Sequence, residues 1–181
     1  VSWANDDMVL YHGCSEESLA PGNPRGIVVT GQPHNISLDV GASLPDFGPG
    51  FYTTTWLHQA RNWANLRVRK LQARRRIAKA VVLSMRVERN AFAGLQSLVF
   101  PGERDGFYKF VEYCRDGRRP HAAIEFRQGP YDVVTGPVTL AGQTMIVGGA
   151  DQVSFHTLAG TAAISRVDVH GVGDPLFDVS T

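Results

Sequence analysis

The stretch Asp46-Phe47-Gly48-Pro49-Gly50-Phe51-Tyr52-Thr53-Thr54-Thr55, which runs into Trp56-Leu57-His58-Gln59-Ala60-Arg61-Asn62-Trp63-Ala64, constrains the fold more than any other. Gly-Pro-Gly turns a backbone sharply. Residues 51–55 are β-branched or aromatic and favour a short strand. Trp56, Ala60 and Trp63 recur at helical spacing. Turn, strand and helix are therefore expected in immediate succession.

The elements around this unit are short and irregularly ordered. Met8–Tyr11 reads as an inner strand with His12-Gly13 at its end, and Pro21, Pro24, Pro33, Pro45 and, one past the edge, Pro49 make residues 14–48 loop-like, with short pieces near 27–29 and 36–38. A loop of that length suits a cover over a ligand cleft. The helix from Trp56 is expected to reach about Arg74. Residues 80–87 put Val81, Leu83, Met85 and Val87 on one face and Val82 on the other, the pattern of a strand buried on both sides. Residues 91–100 read as a short helix or loop. Phe107, Phe110, Val111 and Cys114 predict an amphipathic helix over 105–116, ended by Gly117. Strands are expected at 122–126, at 131–135 with Gly136-Pro137 closing it, at 153–157 and at 164–169; residues 144–147 suit a strand or a helical turn, and residues 170–181 a frayed tail.

Strands outnumber helices without βαβ alternation, so an α+β fold on antiparallel sheets is expected. The 181 residues suit a single domain with a core over about residues 8–165. No G-x-G-x-x-G stands between a strand and a helix, which excludes a Rossmann cradle. No run of eighteen apolar residues exists, so no membrane span is expected, and the start at Val1 without a leader pattern suggests a fragment or a processed product. Cys14 and Cys114 lack partners at ligand spacing; they are expected to be buried thiols, and no metal site is indicated. Charges nearly cancel, yet Arg61, Arg67, Arg69, Lys70, Arg74, Arg75, Arg76 and Lys79 gather eight of the chain's 18 basic residues. Either they form a solvated helix end that suits the helix dipole, or they bind phosphates or an acidic partner.

Tyr52 and Trp63 offer two aromatic faces that suit core packing or a slot for a flat ring. A cationic ring fits such a slot best, since each face attracts a cation by about 0.5–2 kcal/mol; the nicotinamide of NAD+ is one. Three separated pieces extend that reading: Tyr11-His12-Gly13, Gly50-Phe51-Tyr52 with Trp63, and Gln152 within Asp151-Gln152-Val153-Ser154-Phe155. In this order they resemble the motifs of the ADP-ribosyltransferase superfamily, in its His-Tyr-Glu branch of diphtheria-toxin-like and poly(ADP-ribose)-polymerase-like enzymes. Leu-Tyr-His-Gly, Phe-Gly-x-Gly-Phe-Tyr-Thr-Thr with Gln-Ala-x-x-Trp-Ala, Tyr-Asp-Val-Val-x-Gly-Pro-Val and Gln-Val-Ser-Phe-His-Thr resemble, more narrowly, a bacterial family of uncharacterised ADP-ribosyltransferase-like domains, over about residues 8–160.

The resemblance implies split antiparallel sheets and NAD+ as co-substrate. His12, Tyr52 and Gln152 would be catalytic, and Tyr11, His12, Gly13, Phe51, Tyr52, Thr53 and Trp63 would bind the dinucleotide. Gly13 would pair its backbone with the nicotinamide carboxamide, His12 would bond a ribose hydroxyl, and Tyr52 and Trp63 would sandwich the ring. Gln152 stands where the best-known members have glutamate. A carboxylate about 4 Å from the developing oxocarbenium is worth roughly 4 kcal/mol at an effective dielectric near 20, or about three decades in rate. The resemblance implies, for members with Gln here, mono-transfer or inactivity rather than poly-transfer; Asp151, Asp132 and Glu125 are candidates to supply the missing charge.

The expected activity is mono-ADP-ribosylation of a macromolecular acceptor, protein ahead of nucleic acid, by a bacterial effector or toxin, secreted, injected or cytoplasmic, with an antitoxin, immunity or host activator protein as a further partner. The alternatives are a catalytically inactive module that binds NAD+ or a partner, and an RNA 2′-phosphotransferase-like enzyme.

Overall fold

A computed structural model describes residues 6–19, 36–38, 45–102, 105–116, 131–140 and 145–179. In chain order the elements are β1 (Met8–Ser15), a 3-10 turn (Glu16–Leu19), β2 (Phe51–Thr53), α1 (Leu57–Gln72), β3 (Ala80–Val87), α2 (Arg89–Ala93), β4 (Ser97–Val99), α3 (Asp105–Arg115), β5 (Val133–Thr139), β6 (Ile146–Phe155), α4 (Leu158–Ala162) and β7 (Ile164–Val172). The fold is α+β, with a three-stranded sheet ordered β1-β3-β7 and a four-stranded sheet ordered β2-β6-β5-β4. The pieces expected at 27–29 and 122–126 lie outside the described residues; residues 36–38 form no strand. No helix among the described residues is long and apolar enough to cross a membrane.

The chain divides into two compact units interleaved in sequence. In the first, β3 is central and pairs antiparallel with β1 and β7. Its Val81, Val82, Leu83, Met85 and Val87 are all buried, as a strand covered on both faces requires. Helix α1 lies on this sheet through Ala60, Ala64 and Val68, which form a cluster with Ala78, Ala80 and Val82. It begins where the Thr54 hydroxyl accepts the Trp56 N–H at 3.0 Å and donates to Gln59 Oε1 at 3.0 Å. Its last turn carries Arg69 and Lys70, which suit the negative end of the helix dipole. The tail expected to fray from residue 170 is instead held: β7 runs to Val172, the Gly173 N–H bonds the Ala80 carbonyl at 2.8 Å, and Asn65 brackets Phe177 with two bonds of 2.9 and 2.8 Å.

The second unit is built on the four-stranded sheet and α3. Phe107, Phe110, Val111 and Cys114, the stripe that predicted α3, are fully buried with Phe47, Tyr131 and Val134. Two expectations need correcting here. Strand β5 does not close at Gly136-Pro137 but continues to Thr139, with Pro137 opposite Asp151 of β6. Its neighbour β4 pairs with Val133–Thr135, so beyond that point β5 is an edge among the described residues, where a residue without an N–H breaks no ladder. The sheet is also not purely antiparallel, because β4 and β5 run parallel.

Candidate functional site

In the first unit, β1 is, among the described residues, an edge strand whose far side is reached only briefly. Tyr11 exchanges both backbone bonds with Thr54, at 2.8 and 2.9 Å. In an antiparallel ladder a residue turns its N–H and C=O to the same side, and residues two apart turn theirs alike. Tyr11 stands opposite Ser84 and Gly13 opposite Val82 in unbroken register with β3, so Gly13 directs its N–H and C=O to the edge away from β3. His12 sits within β1, not at its end, and alternation sends its side chain to the opposite face from Tyr11 and Gly13. Glycine is required at 13: a Cβ there would meet the Ala60 carbonyl oxygen at 2.0 Å and the Ala64 nitrogen at 2.7 Å. Trp63 follows Ala60 on that helix and is half exposed (47%), as is Trp56. The buried stripe of α1 is made by small residues, and the tryptophans are left outside it.

In the second unit, Tyr52 and Gln152 lie on neighbouring strands, β2 and β6. Two consecutive residues of the preceding turn tie them down. The Phe47 N–H donates to the Tyr52 hydroxyl at 3.0 Å, which donates onward to the Gly48 carbonyl at 2.7 Å. Burial pushes the Tyr52 phenol well above its ordinary range, so it stays neutral and acts as a donor. Asp46 Oδ2 accepts from Gln152 Nε2 at 2.8 Å and from the Thr139 N–H at 2.8 Å, while Oδ1 accepts from Arg115 at 2.7 Å and from the Thr139 hydroxyl at 2.9 Å. Phe51 and Thr53, on either side of Tyr52, are buried.

Residues 31–147 match the family model described as Protein of unknown function (DUF3990). The chain belongs to the DUF3990 family. No match is found among curated proteins. The DUF3990 span holds Asp46, Tyr52, Trp63, Arg115 and Thr139; Tyr11, His12, Gly13 and Gln152 fall outside it.

Two further features of this DUF3990 chain bear on its second unit. His156 Nδ1 lies 2.7 Å from the Pro49 carbonyl and Nε2 lies 2.8 Å from Ser154 Oγ. A carbonyl can only accept, so Nδ1 carries a proton. The ring meets Tyr52 edge to face, with centroids 6.3 Å apart. Gly50 makes room for it, since a Cβ at 50 would come within 2.7 Å of Nδ1. Ser154 is fully buried, so the Ser154–His156 pair fixes the turn and offers no nucleophile.

Of the acidic residues considered as substitutes for a glutamate at 152, Asp132 is engaged by the Gln96 N–H and the Thr157 hydroxyl, Asp151 stands on the other face of β6 from Gln152, and Glu125 lies outside the described residues. The carboxylate that does touch Gln152 is Asp46, which sequence reasoning passed over inside the very turn it singled out. Its signal was weak: Asp ahead of Gly-Pro-Gly reads as ordinary turn chemistry. Among the described residues no three His, Cys, Asp or Glu side chains are grouped to hold a metal ion.

Proposed function

We propose that this DUF3990 domain is an NAD+-dependent mono-ADP-ribosyltransferase that cleaves the nicotinamide–ribose bond and passes ADP-ribose to a macromolecular acceptor, protein ahead of nucleic acid. The reading rests on the edge of β1 at Gly13. An N–H and a C=O turned to the same side, beyond the last of the described residues that pairs with that edge, are complementary to a primary carboxamide, which offers one acceptor and two donors. Trp63, on the helix against which Gly13 lies, keeps an exposed ring of the kind that attracts a cationic nicotinamide. In the second unit Tyr52 and Gln152, 100 positions apart in sequence, lie on neighbouring strands, and these are the residues the reading makes catalytic with His12. The basic helix after Trp56 would recruit an acidic protein or nucleic acid as acceptor, and the activity suits a bacterial effector or toxin.

A second reading has its own support. Gln152 carries no charge, and the nearby charge of Asp46 is offset by Arg115 at 2.7 Å, so little negative potential is left for an oxocarbenium. That favours a module that binds NAD+ without cleaving it. Nicotinamide release from NAD+ with cell lysate as acceptor, wild type beside Tyr52→Ala and Gln152→Ala, separates the two. Release and label transfer abolished in Tyr52→Ala support the transferase. Thermal stabilisation by NAD+ without release supports the binding module, and neither effect defeats both.

A further inference from the structure

Gln152 is 7% exposed, and its amide nitrogen stands between two groups that only accept, Asp46 Oδ2 at 2.8 Å and the Pro137 carbonyl at 2.8 Å. These partners decide which way the amide faces. Turned over, its oxygen would meet a carboxylate and a carbonyl, with no proton among the three. Both amide protons are thus engaged, and Oε1 is the atom left with hydrogen-bonding capacity. Among the described residues no donor reaches it. Asp46 is itself held by Arg115 and by the backbone and hydroxyl of Thr139, so the support does not turn with the amide.

We infer that Asp46 is a positioning residue for Gln152, locking the amide so that Oε1 is presented as a pure acceptor to a hydroxyl of the ligand, the ribose of NAD+. The inference rests on the transferase reading above. An amide held in this way offers a ribose hydroxyl the same sp2 acceptor oxygen as a glutamate and lacks only the charge. One consequence runs against simple analogy with enzymes that carry glutamate at the third motif. Glutamate cannot be installed at 152 while Asp46 remains, because a carboxylate oxygen would replace the nitrogen 2.8 Å from Asp46 Oδ2 and 2.8 Å from the Pro137 carbonyl. Asp46→Asn supplies a proton for that contact, and the double variant keeps the net charge of the cluster.

The test is the rate of nicotinamide release at saturating and limiting NAD+ for wild type, Gln152→Glu, Asp46→Asn and the double variant, with circular dichroism to establish the folded fraction. Gln152→Glu is expected to lose kcat by about tenfold or more, with KM for NAD+ moved less than about threefold, the split expected when an interaction is lost from the transition state alone. The double variant is expected to exceed Gln152→Glu by about tenfold, yet to stay below wild type because the Thr139 N–H loses an acceptor and the Pro137 carbonyl still faces a carboxylate oxygen. Gln152→Glu as active as wild type, or a folded double variant no better than Gln152→Glu, overturns the inference and leaves the transferase standing. A wild type that releases no nicotinamide defeats the transferase and this role with it, before any variant is made. Should Asp46→Asn fail to fold, Gln152→Glu alone decides.

Discussion

A Cβ on Gly13 would lie 2.0 Å from the carbonyl oxygen of Ala60, so β1 and α1 touch backbone to backbone. Nothing flexible stands at that contact to absorb an added methyl group. Gly13→Ala is expected to destabilise the protein by at least about 1–3 kcal/mol, the range for overpacked cores, read as a lower urea midpoint. On the proposed transferase reading it should also weaken NAD+ binding, because the strand edge that would pair with the carboxamide must shift with it. An alanine variant with an unchanged midpoint would show that β1 is not seated so closely.

The pair formed by Arg115 and Asp46 lies at 2.7 Å with side chains 21% and 8% exposed. Breaking such a pair strands a charge in a dry setting. Arg115→Met is expected to cost about 3–5 kcal/mol by chemical denaturation. Asp46→Asn with Arg115→Met, which removes both charges, should cost less than the sum of the singles, since each single leaves an unpaired group. Additive costs would mean that water reaches the cluster.

The elements that could be read from sequence are those whose signal is local. Phe107, Phe110, Val111 and Cys114 mark α3 because one helix face meets one core, and Val81 to Val87 mark β3 because both of its faces are covered. What escaped depends on neighbours distant in the chain. Pro137 ends a strand or sits within one according to whether another strand lies beside it, and β4 stops at Val99, opposite Thr135. Gln152 was singled out by resemblance, but the partners that orient it, Asp46 and Pro137, stand 106 and 15 positions away. Trp63 was placed correctly on its helix, while its exposure follows from Gly13, which lets Ala60 and Ala64 make the contact with β1.

Beyond β7, one side chain brackets the backbone of Phe177. Asn65 donates to the Phe177 carbonyl at 2.9 Å and accepts the Phe177 N–H at 2.8 Å, and the Arg61 guanidinium lies 5.8 Å from the centre of the Phe177 ring. Asn65 is buried, so its amide has no water to turn to. Asn65→Ala strands both backbone groups and is expected to cost about 1–3 kcal/mol. Amide exchange at Phe177 should speed up far more than exchange in β3. Equal acceleration at both sites would mean that the tail and the sheet open together.

The two thiols make a prediction about alkaline pH. Burial pushes Cys14 up to about 12 against the pull of Arg67, and it pushes Cys114 up to about 12 with the Asp46 carboxylate adding to the effect; both start from an ordinary value of 9.0. The folded chain therefore keeps two protons that the unfolded chain gives up near pH 9. Below that pH neither state ionises and the contribution to stability is fully present. Between about pH 9 and 12 only the unfolded state loses protons, so stability falls as pH rises. The urea midpoint is expected to hold from pH 7 to 8 and to decline by pH 10, with a shallower decline in Cys14→Ala. At pH 8 the protonated, buried thiols should react with iodoacetamide only after urea is added; prompt labelling of the folded protein would mean that one of them is reached by solvent.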